Sequence, residues 1–170
     1  MTIEKMDPQM DDPGVQEFID KCTERWLFEK TGVKLYEAAL RKCPDEFRDK
    51  LQEFRDEEKE HEEMLEEVIR RYGADPHTLT RSARITQLES EGIVKVVENE
   101  DFDAVIDALL AAELVDNAKW ELLIELAEEL DDMDAKNQFE DALDEEEDHL
   151  DFVRDQSLQI SLNRIENIAA

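Results

Sequence analysis

The sequence predicts an all-α protein, a four-helix bundle of two antiparallel helical hairpins joined by a long crossover. Apolar residues recur at helical spacing over long stretches, and the chain has only four prolines and four glycines. There is also a partial internal repeat. Residues 29–37 and 113–121 each begin with Glu, place an aromatic residue seven positions later and end on Glu. The repeat indicates two copies of one hairpin, 12–72 and 101–162, in a single predicted domain covering residues 1–170.

Capping and helix-breaking residues delimit the first predicted hairpin. Asp12 followed by proline can begin a helix over about 13–42, because proline is well tolerated in a first helical turn. Pro44 interrupts that helix and begins the next one, predicted over 45–72. Gly73 then ends the second helix, and a proline shortly after it prevents continuation.

The second predicted hairpin follows a connection that is long enough to run the length of a bundle. This crossover, residues 73–100, contains a short candidate helix at about 84–97. Helices are then predicted over 101–129 and 134–163. The acidic segment 131–134 between them offers a cap for the last helix.

A six-residue motif, D-E-E-x-x-H, occurs twice, at 56–61 and at 144–149. In each copy a Glu and a His three residues later lie on one face of a helix, about one turn apart. These pairs are Glu58 with His61 and Glu146 with His149. Both interrupt apolar stripes that face the predicted core, where a charged Glu costs several kcal/mol unless a partner compensates it. A divalent metal ion is such a partner, and two such pairs make half of a carboxylate-bridged dimetal site.

One Glu from each remaining helix would complete the site, and Glu29 and Glu113 are the candidates. Each lies among apolar residues at helical spacing. Each is also separated from the predicted turn by about as many residues as separate that turn from the Glu–His pair on the next helix. Glu24 and Glu37 are less suitable, because charged residues one turn away predict a solvated face for both. Next to Glu113, two polar residues interrupt the stripe; Asp116 and Asn117 could orient a histidine or could face outward.

The pattern E…ExxH…E…ExxH resembles that of dimetal carboxylate members of the ferritin-like superfamily. The chain is similar to an erythrin-type, rubrerythrin-like member without a rubredoxin domain. The resemblance implies two bridging carboxylates, two terminal carboxylates and one imidazole for each metal, with Tyr36 and Trp120 close to the centre. By this resemblance the bridging carboxylates are Glu58 and Glu146, and the terminal carboxylates are Glu29 and Glu113. The imidazole ligands are His61 and His149. The resemblance also implies two Fe ions as cofactor, with Mn possible.

The function expected from this resemblance is a peroxidase-like or ferroxidase-like reaction of a di-iron site with H2O2 or O2. Because the chain has no C-x-x-C motif, electrons would come from a separate donor. Two other functions stay open, an iron storage or handling oligomer and a non-catalytic helical interaction bundle. A homodimer or higher oligomer is expected.

Charge and cysteine content exclude other classes of function. The formal net charge of −28 argues against a nucleic-acid-binding surface and against binding to anionic membranes. No apolar run approaches the length of a membrane span. Cys22 and Cys43 would lie about 30 Å apart along the first helix, too far to pair within one chain. Free thiols favour a cytoplasmic location.

Overall fold

The computed structural model describes residues 12–169, and this part of the chain is built from helices with no strand. The predicted all-α fold is confirmed, whereas residues 1–11 and 170 of the predicted domain lie outside the described residues. In chain order the helices are α1 (Pro13–Leu40), α2 (Arg48–Arg71), α3 (Arg81–Asn99), α4 (Phe102–Glu129) and α5 (Met133–Ala169). A short 3-10 helix, Asp45–Phe47, precedes α2.

Side-chain caps begin four of the five helices. Asp12 accepts hydrogen bonds from the backbone of the first turn of α1, and Thr80, Asp101 and Asp132 do the same for α3, α4 and α5. At the other end of α2, Gly73 has a φ of 82°, a conformation that glycine adopts without the strain of a Cβ atom. The turns predicted from sequence are therefore the turns of the fold.

The two hairpins, α1–α2 and α4–α5, pack face to face, and α1 also packs against α3 and α4. Two apolar layers fill the interior. One contains Phe18, Trp26 and Trp120, and the other contains Tyr36 and Phe54. Helices α1, α2, α4 and α5 each pass through both layers, so the level between the layers is enclosed on all four sides.

Two segments differ from prediction. The crossover helix α3 is longer at both ends than the expected 84–97, because Thr80 caps it earlier and it packs against α1 and α4. The last helix continues to Ala169 instead of ending near residue 163. Its final turns carry exposed apolar side chains, among them Leu162 and Ile165. Within residues 12–169, no helix combines the length and the hydropathy that a membrane span requires.

Candidate metal centre

All six predicted ligands lie together between the two apolar layers. They are at most 4% exposed, although each carries a polar or ionisable group. α1 contributes Glu29, α2 contributes the first Glu–His pair, α4 contributes Glu113, and α5 contributes the second pair. The assignment of each residue as a ligand remains a prediction, but the fold brings the whole set into one cluster.

The donor atoms of this cluster fall into overlapping groups. In one group, Glu58, Glu113, Glu146 and His149 each offer an atom within 4.8 Å of the others. In a second group, Glu29, His61 and Glu146 do the same. Glu146 belongs to both groups, which is the position that a bridging carboxylate between two metal ions would occupy.

Both histidines direct Nδ1 into the cluster. Nδ1 of His61 lies 2.9 Å from Oε1 of Glu146 and 3.5 Å from Oε2 of Glu29. Nδ1 of His149 lies 3.1 Å from the other oxygen of Glu146, Oε2, and 4.0 Å from Oε2 of Glu113. The two imidazoles therefore approach Glu146 through different oxygens, one on each side of its carboxylate.

The outer nitrogen of each imidazole contacts a Glu from the other copy of the motif. Nε2 of His61 lies 2.8 Å from Oε2 of Glu145, and Nε2 of His149 lies 2.8 Å from Oε2 of Glu57. These contacts fix the orientation of both rings. Sequence reasoning missed Glu57 and Glu145, although the doubled Glu of D-E-E-x-x-H was the available signal.

Aromatic side chains enclose the cluster, as the resemblance implied for two of them. The hydroxyl of Tyr36 donates a hydrogen bond of 2.5 Å to Oε1 of Glu113. The Phe54 ring lies 4.1 Å from that of His149, and the Trp120 ring lies 5.5 Å from that of His61, centroid to centroid. Their packing keeps bulk water away from the carboxylates.

The polar positions next to Glu113 turn inward, but their described partners are not histidines. Asp116 is 1% exposed and pairs with the buried guanidinium of Arg25, which sequence reasoning also missed. Asn117 donates hydrogen bonds to the backbone carbonyls of Glu113 and Glu146, at 3.0 and 3.1 Å, and so ties α4 to α5.

The solvated face predicted for Glu24 was wrong. This side chain is buried because α3 covers it, and it accepts bonds from Lys119 at 2.6 Å and from Thr86 of α3 at 3.4 Å. Its charge is therefore neutralised at the edge of the bundle. Glu37 is exposed, as expected.

Burial changes the proton affinity of several carboxylates in the cluster. Desolvation, together with the neighbouring charge of Glu146, raises the pKa of Glu113 to about 8 and holds that of Glu58 well above its ordinary value. Desolvation also raises the pKa of Asp116, although the charge of Arg25 opposes the rise.

The pKa of Glu146 is lowered, whereas the pKa values of the two histidines are raised. Desolvation acts to raise the pKa of Glu146, but the charge and hydrogen bonds of His149 and His61 outweigh it, and the pKa lies well below the ordinary value. Desolvation acts to lower the histidine pKa values, yet carboxylate partners raise that of His149 to about 10 and that of His61 well above 6.5. The two imidazoles therefore bind protons more tightly than free imidazole does.

Buried nitrogen and oxygen atoms that lack a hydrogen-bond partner indicate whether this site suits metal ions. Six atoms of the six candidate ligands are buried without a well-oriented hydrogen bond, and five of them are carboxylate oxygens. They are both side-chain oxygens of Glu29, Oε2 of Glu58, Glu113 and Glu146, and Nδ1 of His149. Oε1 of Glu29 nevertheless lies beside Nε of Arg25, and Oε2 of Glu146 lies beside Nδ1 of His149, so Oε2 of Glu58 is the clearest atom without a partner. Native interiors seldom leave such atoms unpaired. Oxygen and imidazole donors are also the set that Fe and Mn accept, so these residues fit a pair of such ions.

Comparison with known proteins places the chain in a family and supports the fold. A family model described as "Domain of unknown function (DUF892)" matches residues 15–164. No curated protein matches the chain in sequence. Among solved structures, the fold is similar to ferritin like, diiron-carboxylate proteins from Bacillus anthracis str. Ames, with a TM-score of 0.67 and 20% identity. The similarity covers 86% of this chain and 99% of that chain, and it confirms the ferritin-like bundle.

Proposed function

The chain belongs to the family described as a domain of unknown function (DUF892), and we propose from its buried cluster that it is a dimetal carboxylate protein. One observation carries the proposal: four carboxylates and two imidazoles are buried at one level, and their donor atoms form overlapping groups within 4.8 Å of one another. Four carboxylates and two neutral imidazoles balance two divalent cations, so the loaded site has no net charge. A low-dielectric interior accommodates a neutral site far better than an array of unpaired charges.

Fe is the proposed metal, with Mn as an alternative, and the proposed substrates are H2O2 and O2. A pair of Fe ions held by these residues would supply electrons to the oxidant, passing from the ferrous to the ferric state. The protein residues position and enclose this chemistry. Glu145 and Glu57 orient the imidazoles, Tyr36 holds Glu113 through its hydroxyl, and Phe54 helps to exclude water. Repeated turnover requires a separate electron donor.

Metal content per chain is the direct test. Protein purified without added metal is analysed by plasma mass spectrometry, loaded anaerobically with Fe(II), and analysed again. We expect saturation near two Fe per chain and a ferric absorbance that develops on exposure to H2O2 or air. If Fe(II) binds no more than it does to a denatured control, the cluster is not a metal site and the proposal fails. If two Fe bind but neither oxidant changes the absorbance, the redox function fails and a metal-handling role remains.

A further inference from the structure

We propose that Arg25 is a positioning residue that keeps Asp116 out of the metal-binding set. This inference rests on the proposed function, because it concerns the same site. It assigns roles to two residues outside the six predicted ligands, the cation Arg25 and a fifth carboxylate, Asp116.

The Arg25 guanidinium is held between two carboxylates. Its Nε lies 2.6 Å from Oε1 of Glu29, and its Nη1 lies 2.5 Å from Oδ1 of Asp116. The side chain is 2% exposed, and its guanidinium carbon lies 4.4 Å from the ring centroid of Phe28 and 5.7 Å from that of Trp120. A group so enclosed has little freedom to move away from either partner.

Asp116 is close enough to the cluster to compete for a metal ion. Oxygens of Glu29, Glu58, Asp116 and Glu146 all lie within 4.8 Å of one another. A fifth carboxylate would leave two divalent ions and their ligands with a net charge of −1 in a buried site, which is unfavourable. The positive charge of Arg25 cancels this excess. Its ion pair with Asp116 also holds a carboxylate that would otherwise be free to turn toward the metal.

The effect of single substitutions on cation affinity distinguishes this positioning role from that of a purely structural ion pair. Removing only Arg25 adds one negative charge to the site and frees Asp116, whereas removing only Asp116 leaves a positive charge beside it. The two single changes should shift cation affinity in opposite directions, and the double change should cancel them. A pair that only packs the core would weaken the site in both single variants.

Anaerobic titration with Co(II) tests the assignment, since the visible absorption of Co(II) reports the number and geometry of its ligands. Wild type is compared with Arg25→Met, Asp116→Asn and the double variant, with a weak chelator present to suppress binding to surface carboxylates. For Asp116→Asn we expect an unchanged spectrum and an affinity about tenfold lower. For Arg25→Met we expect an altered spectrum without loss of affinity, and for the double variant we expect the wild-type spectrum again.

Each result supports or overturns the inference. A changed spectrum in Asp116→Asn would make Asp116 a ligand in the wild type, and an Arg25→Met spectrum identical to wild type would remove the positioning role. Asp116→Asn retains Arg25 and nearly the same volume, so the test stands even if Arg25→Met does not fold. If wild-type protein binds no Co(II), the proposed function has failed rather than the role of Arg25 alone.

Discussion

Gly32 lies directly against the carboxylate of Glu58, with no room for a side chain between them. A Cβ atom at position 32 would lie 1.9 Å from Oε2 of Glu58 and 2.4 Å from its Cδ. The Gly32→Ala substitution should therefore displace this carboxylate and lower metal affinity at least about tenfold, while favouring the helix itself. Titration with Fe(II) or Co(II), with circular dichroism to confirm folding, measures the effect.

Gly92→Ala is the matched control for that substitution. Gly92 lies inside α3, and a Cβ there would meet no atom within 4 Å. We expect unchanged metal binding and a gain in stability of about 0.5–1 kcal/mol, because alanine loses less conformational entropy in a helix. Equal metal affinity in both alanine variants would contradict the placement of Glu58 at the metal.

Loss of either inward-facing imidazole should remove a nitrogen donor from one half of the cluster. We expect His61→Ala and His149→Ala each to reduce metal content sharply, measured by plasma mass spectrometry after Fe(II) loading. His77→Ala serves as the control, because its side chain is 58% exposed and contacts the Trp26 ring rather than the cluster. Near-normal metal content in both cluster variants would argue against a single six-residue site.

The crossed contacts between the motif copies predict a milder effect. Glu57→Gln and Glu145→Gln leave the donor atoms in place but weaken the hold on the outer imidazole nitrogens. Metal affinity should fall by about 10–100-fold in each variant. Glu60→Gln, an exposed neighbour on the same helix, should bind like wild type. If the three variants bind metal equally well, the orientation of the rings does not depend on these carboxylates.

The raised pKa values predict how stability depends on pH. In the folded chain His149 has a pKa of about 10 against an ordinary 6.5, and Glu113 has a pKa of about 8 against 4.5. Both groups therefore bind protons more tightly when folded. The stability from Glu113 is lost as pH rises from 4.5 through 8, and that from His149 as pH rises from 6.5 through 10.

The melting temperature of the metal-free protein should accordingly fall between about pH 6 and pH 9. Loaded protein should melt higher, and the difference should widen as pH rises, because metal ions then replace protons that the cluster has lost. Differential scanning calorimetry at several pH values measures both curves. Glu113→Gln should flatten the metal-free curve. A metal-free curve that rises over this interval would contradict the assigned pKa directions.

The bundle and six of the cluster residues were predictable because both depend on local spacing. Helical period places Glu58 and His61 on one face, and distance from a turn sets the level of Glu29, so neither requires knowledge of tertiary contacts. The burial of Arg25 and Glu24 was not predictable in this way. Charged residues surround both along α1, and only the packing of α3 and α4 against that helix excludes water from them.

The crossed pairing of His61 with Glu145 and of His149 with Glu57 has a consequence for how such a chain could arise. A single hairpin contains one member of each pair and half of the carboxylates, so it could complete the cluster only by joining a second hairpin. Two identical hairpins associating around a two-fold axis would form every one of these contacts. The present chain therefore has the arrangement expected of a fused ancestral dimer.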